Sequence, residues 1–480
     1  MKEMLMYINN QWKESTSGKF IDVMDPADQS VYGKIPQGSK EDVDKAVEAA
    51  RKAFESEEWK KVKPHERGYL LNKIAHRIRE EKESLAMMET QDVGKPLTQA
   101  KADVEAAARY FEFYGGVADK ILGETIPIED GILDFTVREP VGVTAHIVPW
   151  NYPIQIISRS VAAAIATGNT AVVKSAEDTP ATAYRLAQFF DETDLLPGVF
   201  NLVTGYGKEA GASLAGHPDI NHVTFTGSVP TGISVMKAAA ENVVPVTLEL
   251  GGKSPNIVFA DCDQEKAIQG VVKAIIQNAG QTCSAGSRLL IDRTVKDEFL
   301  EKVTNAFQEL QVGPGKDDVD IGPILSKSQF EKIIAYLKLA DKDGEILTGG
   351  RQLDIGGYDR GYYIAPTIID GLDHNHPAAQ EEIFGPVLTV FEFEGEDEAL
   401  RLANDTEYGL VTGVWTENIG KAHRIADRIR SGQVFINNYG AGGGIQMPFG
   451  GFKKSGFGRE KGLEALKNYT TVKNVAIKYR

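Results

Sequence analysis

The sequence predicts an α/β protein built on parallel sheets with helices on both faces. Three features predict it. Between residues 141 and 250, short apolar strands alternate with helical segments. A second βα-rich stretch runs from Gly251-Gly252 to about residue 450. The strand candidates are short apolar runs such as TAVVK and VPVTLEL, as expected where helices cover both faces of a sheet.

Taken in order, YINNQWK reads as a hairpin turning at Asn9-Asn10. Ser39 then caps a helix carrying Val43, Val47, Ala50 and Phe54 at helical spacing. A second helix starts after Pro64 with Leu71, Ile74 and Ile78, and a third spans about Thr98 to Asp119. The alternation follows. VGVTAHIV is a strand, IQIISRSVAAAIAT a buried helix, TAVVK a strand and TAYRLAQFF a helix. VFNLVTG is a strand with a short helix after Gly207. HVTFTG precedes the helix GISVMKAAAE, and VPVTLEL is a fifth strand. Ligands of such sheets bind beyond the carboxyl ends of the strands. Two alternating segments, ILDFTVRE at 132–139 and VKNVAIKY at 472–479, fall outside these layers. Each is an edge strand that needs covering, by another subunit or by pairing within the chain.

A length of 480 residues accommodates two to four folding units, and 42% hydrophobic with 25% charged residues is a globular balance. The net charge of −15 disfavours nucleic acid and anionic membrane surfaces as partners. Two cysteines, Cys262 and Cys283, cannot build a disulfide framework and fit a reducing compartment. No apolar run reaches membrane-spanning length, and the N-terminal segment makes a poor signal peptide. A cytoplasmic location is expected.

Cys283 lies in NAGQTCSAGSR, between Gly280 and Gly286, which let backbone approach a substrate. A nucleophilic thiol there needs its pKa lowered by a cation or a helix N-terminus, whereas an isolated cysteine is more often a buried structural residue. Cys262, flanked by two acids, reads as structural. Glu249 ends an apolar strand before two glycines and points into whatever cleft that strand end faces; taken alone it reads more readily as a solvated loop acid. Asn151, in VPWNYP, offers an amide to a developing oxyanion or caps the next helix. TGYGKEAG is not G-x-G-x-x-G. In FTGSVPTG a strand ends, Gly227 turns and Ser228 caps a helix, a better place for a pyrophosphate. Lys174 and Glu177 follow a strand end, where a carboxylate can accept both hydroxyls of an adenosine ribose and repel a 2′-phosphate.

VPWNYP, VVKSAEDTP, FTGS, LELGGKSP, GQTCSAGSR, EEIFGPV and MPFGGFKKSGFGRE occur together in the order and spacing of the aldehyde dehydrogenase superfamily, which the chain resembles over essentially its whole length. The resemblance implies Cys283 as nucleophile, Glu249 as general base, and Asn151 with the Cys283 N–H as oxyanion donors. It implies NAD, in preference to NADP, held by Lys174 and Glu177 at the adenosine ribose. Pro149, Trp150, Gly207, Gly227, Ser228 and Leu250 would supply walls and pyrophosphate contacts, with Glu382 and Phe384 at the nicotinamide riboside. It implies two Rossmann-type βαβ domains and a small β arm: an NAD-binding domain at 1–118 and 139–248, a catalytic domain at 249–450, and an oligomerisation arm at 119–138 and 466–480. A homodimer or homotetramer follows. Ser175 departs from the family, where many members have proline; this frees φ and restores an N–H.

The implied reaction is attack of Cys283 on an aldehyde, hydride transfer to NAD, and hydrolysis of the resulting thioester by water activated by Glu249. Thiolate and carboxylate in one cleft repel, so Glu249 is expected to have a raised pKa or to rest turned away. A CoA-acylating dehydrogenase would not need Glu249. A papain-like hydrolase would need a histidine partner that no motif supplies, and a non-catalytic protein would not need the three residues together. The loop around Tyr439 to Met447 is expected to line the substrate entrance, and its small residues suggest a roomy tunnel for a medium aliphatic or aromatic aldehyde.

Overall fold

The computed structural model describes residues 2–440 and 444–480 and contains two large sheets. In the first, five parallel strands lie in the order Val246–Glu249, His222–Thr226, Val143–Ile147, Thr170–Lys174 and Phe200–Val203. The chain starts in the middle, builds outward one way, then returns to build the other way. The reversal falls between Val143–Ile147 and His222–Thr226, and a crevice for a ligand opens at such a point. The hairpin Met6–Ile8/Gln11–Lys13 extends one edge. Its turn residues Asn9 and Asn10 have φ of 52° and 55°, the conformation a two-residue hairpin requires. At the other edge, Gly456–Phe457 pairs antiparallel with the Glu249 strand, Gly456 opposite Glu249.

The second sheet orders Glu345–Thr348, Thr367–Asp370, Val387–Phe393, Arg288–Asp292, Pro255–Val258, Val411–Trp415 and Gln433–Ile436, parallel except for the first strand. Helices sheathe both sheets. Pro153–Ala166 is buried on nearly every side, as its mostly apolar sequence requires. Helix Lys40–Glu55 opens with a reciprocal cap: the Asp42 N–H donates to the Ser39 hydroxyl, and the Ser39 N–H to the Asp42 carboxylate. Such a cap contributes about 1 kcal/mol.

The two stray segments pair with each other. Ile132–Pro140 and Thr470–Lys478 run antiparallel in a nine-residue register, joined by Thr125–Ile126. Pairing within the chain joins the two segments, and Thr470–Lys478 remains an outer strand of this three-stranded sheet. Pairing leaves Leu133, Val472, Ile477 and Tyr479 exposed on this ribbon.

Two elements go beyond the sequence reading. Phe20–Asp25 and Ser30–Pro36 form a small antiparallel sheet joined by Lys2–Glu3. Helix Lys82–Val93 lacks clean apolar periodicity because Glu89 and Asp92 occupy fully buried positions. Lys95 and the Thr182 hydroxyl satisfy Glu89; the Tyr32 hydroxyl and the Ala181 N–H satisfy Asp92.

Candidate active site

Glu249 is the last residue of its strand, and its carbonyl accepts the Gly227 N–H at 3.0 Å, tying two strand ends together. Its side chain is only 2% exposed, and neither carboxylate oxygen has a hydrogen-bond partner among the described residues. It lies against Gly450, where a Cβ would come within 2.9 Å of Oε1. Burial holds this carboxyl well above the usual carboxylate range. The neighbouring Glu460 adds to the shift, while Arg159, Arg459 and Lys461 oppose it. The expected direction is therefore found with a different cause: desolvation comes first and a second carboxylate next, ahead of any thiolate.

Asn151 does not cap the following helix, whose N-cap residue is Tyr152. Its Nδ2 donates to the Gln281 carbonyl at 3.1 Å, which leaves one amide hydrogen for another acceptor. Its own carbonyl accepts from Lys95 Nζ at 2.9 Å and Asn278 Nδ2 at 3.1 Å. Lys95 is itself buried and pairs with Asp103 at 2.6 Å and Glu89 at 3.3 Å. Asn278 and Ala279, with φ of 48° and 55°, end the preceding helix and turn the chain toward Cys283. The glycines in this stretch serve protein packing rather than substrate approach. A Cβ at Gly280 would strike the Gly385 carbonyl, and one at Gly286 would strike Asn256 and Ala274.

Cys283 packs beside Leu410, Val411, Phe435, Phe449, Tyr439 and Met447. Burial pushes its thiol up to about 12; Arg159 and Lys461 pull it down, while Glu382 and Glu249 push it up. A cation is thus present, as a reactive thiol requires, but burial outweighs it and the resting sulfur is a thiol. Cys262 sits elsewhere, half-buried among helix and sheet residues, its thiol raised to about 11 by burial and Asp261. Both cysteines are free.

The sequence reading missed the ionic cluster beside these groups. Arg159 and Glu460 form a buried ion pair, 5% and 1% exposed, with Arg159 also donating to Thr226 Oγ1. A signal existed: Arg159 is the one charged residue in an otherwise apolar buried helix. Glu460 arrives because Gly456–Phe457 docks on the Glu249 strand and the Phe449 N–H donates to the Glu460 carbonyl. Of the entrance loop, Ala441, Gly442 and Gly443 lie outside the described residues.

The remaining sequence-predicted residues gather at the crevice. Pro149 and Trp150 follow strand Val143–Ile147, and the Trp150 ring meets the Phe384 ring edge-on at 5.4 Å. Phe384 has φ of 63°, a left-handed conformation rare for an aromatic residue. Glu382 Oε1 accepts the Gly252 N–H at 3.0 Å, and burial raises its carboxyl to about 7. Ser228 caps helix Val229–Ala240. Gly227 has no room for a Cβ against the Phe225 ring, nor Gly232 against Leu250. Lys174 Nζ pairs with Glu177 Oε2 at 2.6 Å, and the Gly207 N–H donates to Glu177 Oε1 at 3.2 Å. Burial alone would raise Glu177; the Lys174 ammonium and these N–H donors outweigh it, and the carboxyl is lowered. The N–H restored by Ser175 is used, donating to the Val203 carbonyl at 3.3 Å. No helix among the described residues is long and apolar enough to cross a membrane.

Comparison with known proteins agrees with this arrangement. The profile described as "Aldehyde dehydrogenase family" matches residues 12–475. An aldehyde dehydrogenase of Emericella nidulans is 42% identical over 473 residues, 98% of this chain and 94% of the relative. The NAD+ complex of aldehyde dehydrogenase from Bacillus cereus superposes with a TM-score of 0.97 at 40% identity, covering 100% of this chain and 97% of that one. Betaine aldehyde dehydrogenase from Staphylococcus aureus, in complex with NAD+, gives a TM-score of 0.97 at 39% identity, covering 99% and 95%.

Proposed function

Because this chain belongs to the aldehyde dehydrogenase family, we propose that it oxidises an aldehyde to a carboxylic acid with NAD, through a thioester on Cys283. One observation carries the residue assignment. The Asn151 amide reaches the backbone two residues before Cys283, whose thiol lies within electrostatic range of Glu249. Three residues distant in the sequence are thus near one another, which supports the assignment.

The crevice fits NAD. Glu177 is a partly buried, ionised carboxylate suited to two ribose hydroxyls and hostile to a 2′-phosphate. The Ser228 helix N-terminus suits a pyrophosphate, and Trp150, Phe384 and Glu382 flank the place for the nicotinamide riboside. Held there by these residues, NAD would supply the acceptor for the hydride that leaves the aldehyde carbon. The chain supplies the rest. Cys283 loses its proton and its sulfur bonds the carbonyl carbon. The free Asn151 amide hydrogen and the Cys283 N–H stabilise the oxyanion. Glu249, once ionised, is a stronger base for its raised pKa and takes a proton from the water that cleaves the thioester. That base favours hydrolysis over transfer to CoA.

The test is NADH absorbance on adding an aldehyde, with carboxylic acid as product; acyl-CoA formed on adding CoA would overturn the hydrolytic step. Asn151→Ala should lower kcat about 10²–10³-fold with the fold intact; an unchanged kcat would remove Asn151 from the oxyanion site. Glu177→Ser should raise kcat/KM for NADP relative to NAD by about tenfold, since a like-charge clash is relieved; an unaltered ratio would place the adenosine ribose elsewhere.

We assign residues 1–118 and 139–248 to the cofactor domain, 249–450 to the catalytic domain, and 119–138 and 466–480 to an arm. The apolar residues exposed on that ribbon support a homodimer or homotetramer, and two free cysteines support a reducing, cytoplasmic setting.

A further inference from the structure

Resting on this dehydrogenase reading, we propose that Lys461 forms a subsite for a substrate carboxylate, so that the preferred aldehyde carries a carboxylate at its far end. The geometry begins with the segment Glu460–Gly462, which lies against Ile445–Phe449. The Phe449 N–H donates to the Glu460 carbonyl and the Gly462 N–H to the Ile445 carbonyl at 2.9 Å. Between those contacts Lys461 adopts φ of 63°, a conformation non-glycine residues keep only where their surroundings impose it. Its ammonium lies 4.9 Å from the centre of the Phe449 ring. Phe449 belongs to the apolar cluster that also holds Cys283 and Met447. Lys461 therefore overlooks the pocket from which an aldehyde must reach the sulfur.

Its charge has no carboxylate of the protein's described residues paired with it. Arg159 has Glu460 as its counter-ion. Glu249 is held well above the usual carboxylate range, first by burial, which disfavours its charge. Among the described residues no carboxylate lies within ion-pair distance of the Lys461 ammonium, which faces Cys283, Glu249, Glu460 and Arg159. Lys461 is only half-buried, so an entering ligand can reach its ammonium, and desolvation pushes it down to about 8. A carboxylate entering with the substrate supplies a counter-charge to this ammonium, and so favours charged substrates over neutral ones of the same shape.

The test compares 4-oxobutanoate, 5-oxopentanoate and 4-formylbenzoate with butanal, pentanal and benzaldehyde, using the full-length wild-type enzyme with NAD. At least one carboxylated aldehyde should exceed its neutral partner in kcat/KM by about tenfold or more, mainly through KM. The preference should shrink above about pH 8 as Lys461 loses its proton, and at high ionic strength. Lys461→Met should lose at least about tenfold more on the carboxylated aldehyde than on the neutral one, and Lys461→Arg should recover part of the difference. Equal use of charged and neutral aldehydes by the wild type, or an equal loss on both in Lys461→Met, would overturn the subsite while leaving the dehydrogenase reading intact. No NADH from any of the six would instead overturn that reading.

Discussion

Replacing Cys283 with alanine should abolish both the first NADH burst and steady turnover, lowering kcat by about 10⁴-fold or more, because no other group at the site can form the thioester. Cys262→Ala is the matched control and should keep full activity, since that thiol packs away from Glu249, Asn151 and the crevice. Pre-steady-state NADH absorbance checks both variants, with the melting temperature as the measure of folding. Retained turnover in Cys283→Ala, or its loss in Cys262→Ala, would reverse the assignment of the two cysteines. The resting sulfur is a half-buried thiol raised to about 12, so attack requires loss of a proton. The rate of the burst should accordingly rise with pH across roughly pH 6–9, since the thiolate fraction grows about tenfold per pH unit below the pKa. A flat profile would mean that the sulfur is ionised before substrate arrives.

Glu249→Gln should separate the two halves of the reaction. About one NADH per active site should appear in the burst and steady turnover should fall about 10²–10⁴-fold, the usual contribution of a positioned base. Loss of the burst as well would make Glu249 the group that deprotonates Cys283. The same variant should gain stability. A carboxyl whose pKa is raised on folding binds its proton more tightly in the folded state. The folded form therefore loses stability as pH rises above the unfolded value of about 4.5, and a glutamine does not titrate. The gain should be on the order of 1–3 kcal/mol at neutral pH and should shrink toward pH 4. It can be read from denaturant unfolding at several pH values. A stability gap independent of pH would show that the carboxyl is unshifted in the folded enzyme.

Much of this was written locally. The parallel strands around the crevice were legible because strands covered on both faces are continuous apolar runs, and the ends of those runs marked Asn151, Glu177, Gly227 and Glu249. Helix Lys82–Val93 was not, because Glu89 and Asp92 stand where a periodic helix would carry apolar residues. Their partners Lys95, Thr182, Tyr32 and Ala181 come from other elements. Arg159 and Glu460, some 300 residues apart, carry no local sign that they meet.

What the residues determined unaided was the layered α/β architecture; the resemblance of their motifs to a family then singled out Cys283, Glu249 and Asn151 for the roles proposed above. The folded chain alone decided their protonation. Charge and solvent exclusion act through space, so the raised Glu249 carboxyl and the raised Cys283 thiol exist only once folding has buried them beside Arg159, Glu460 and Lys461.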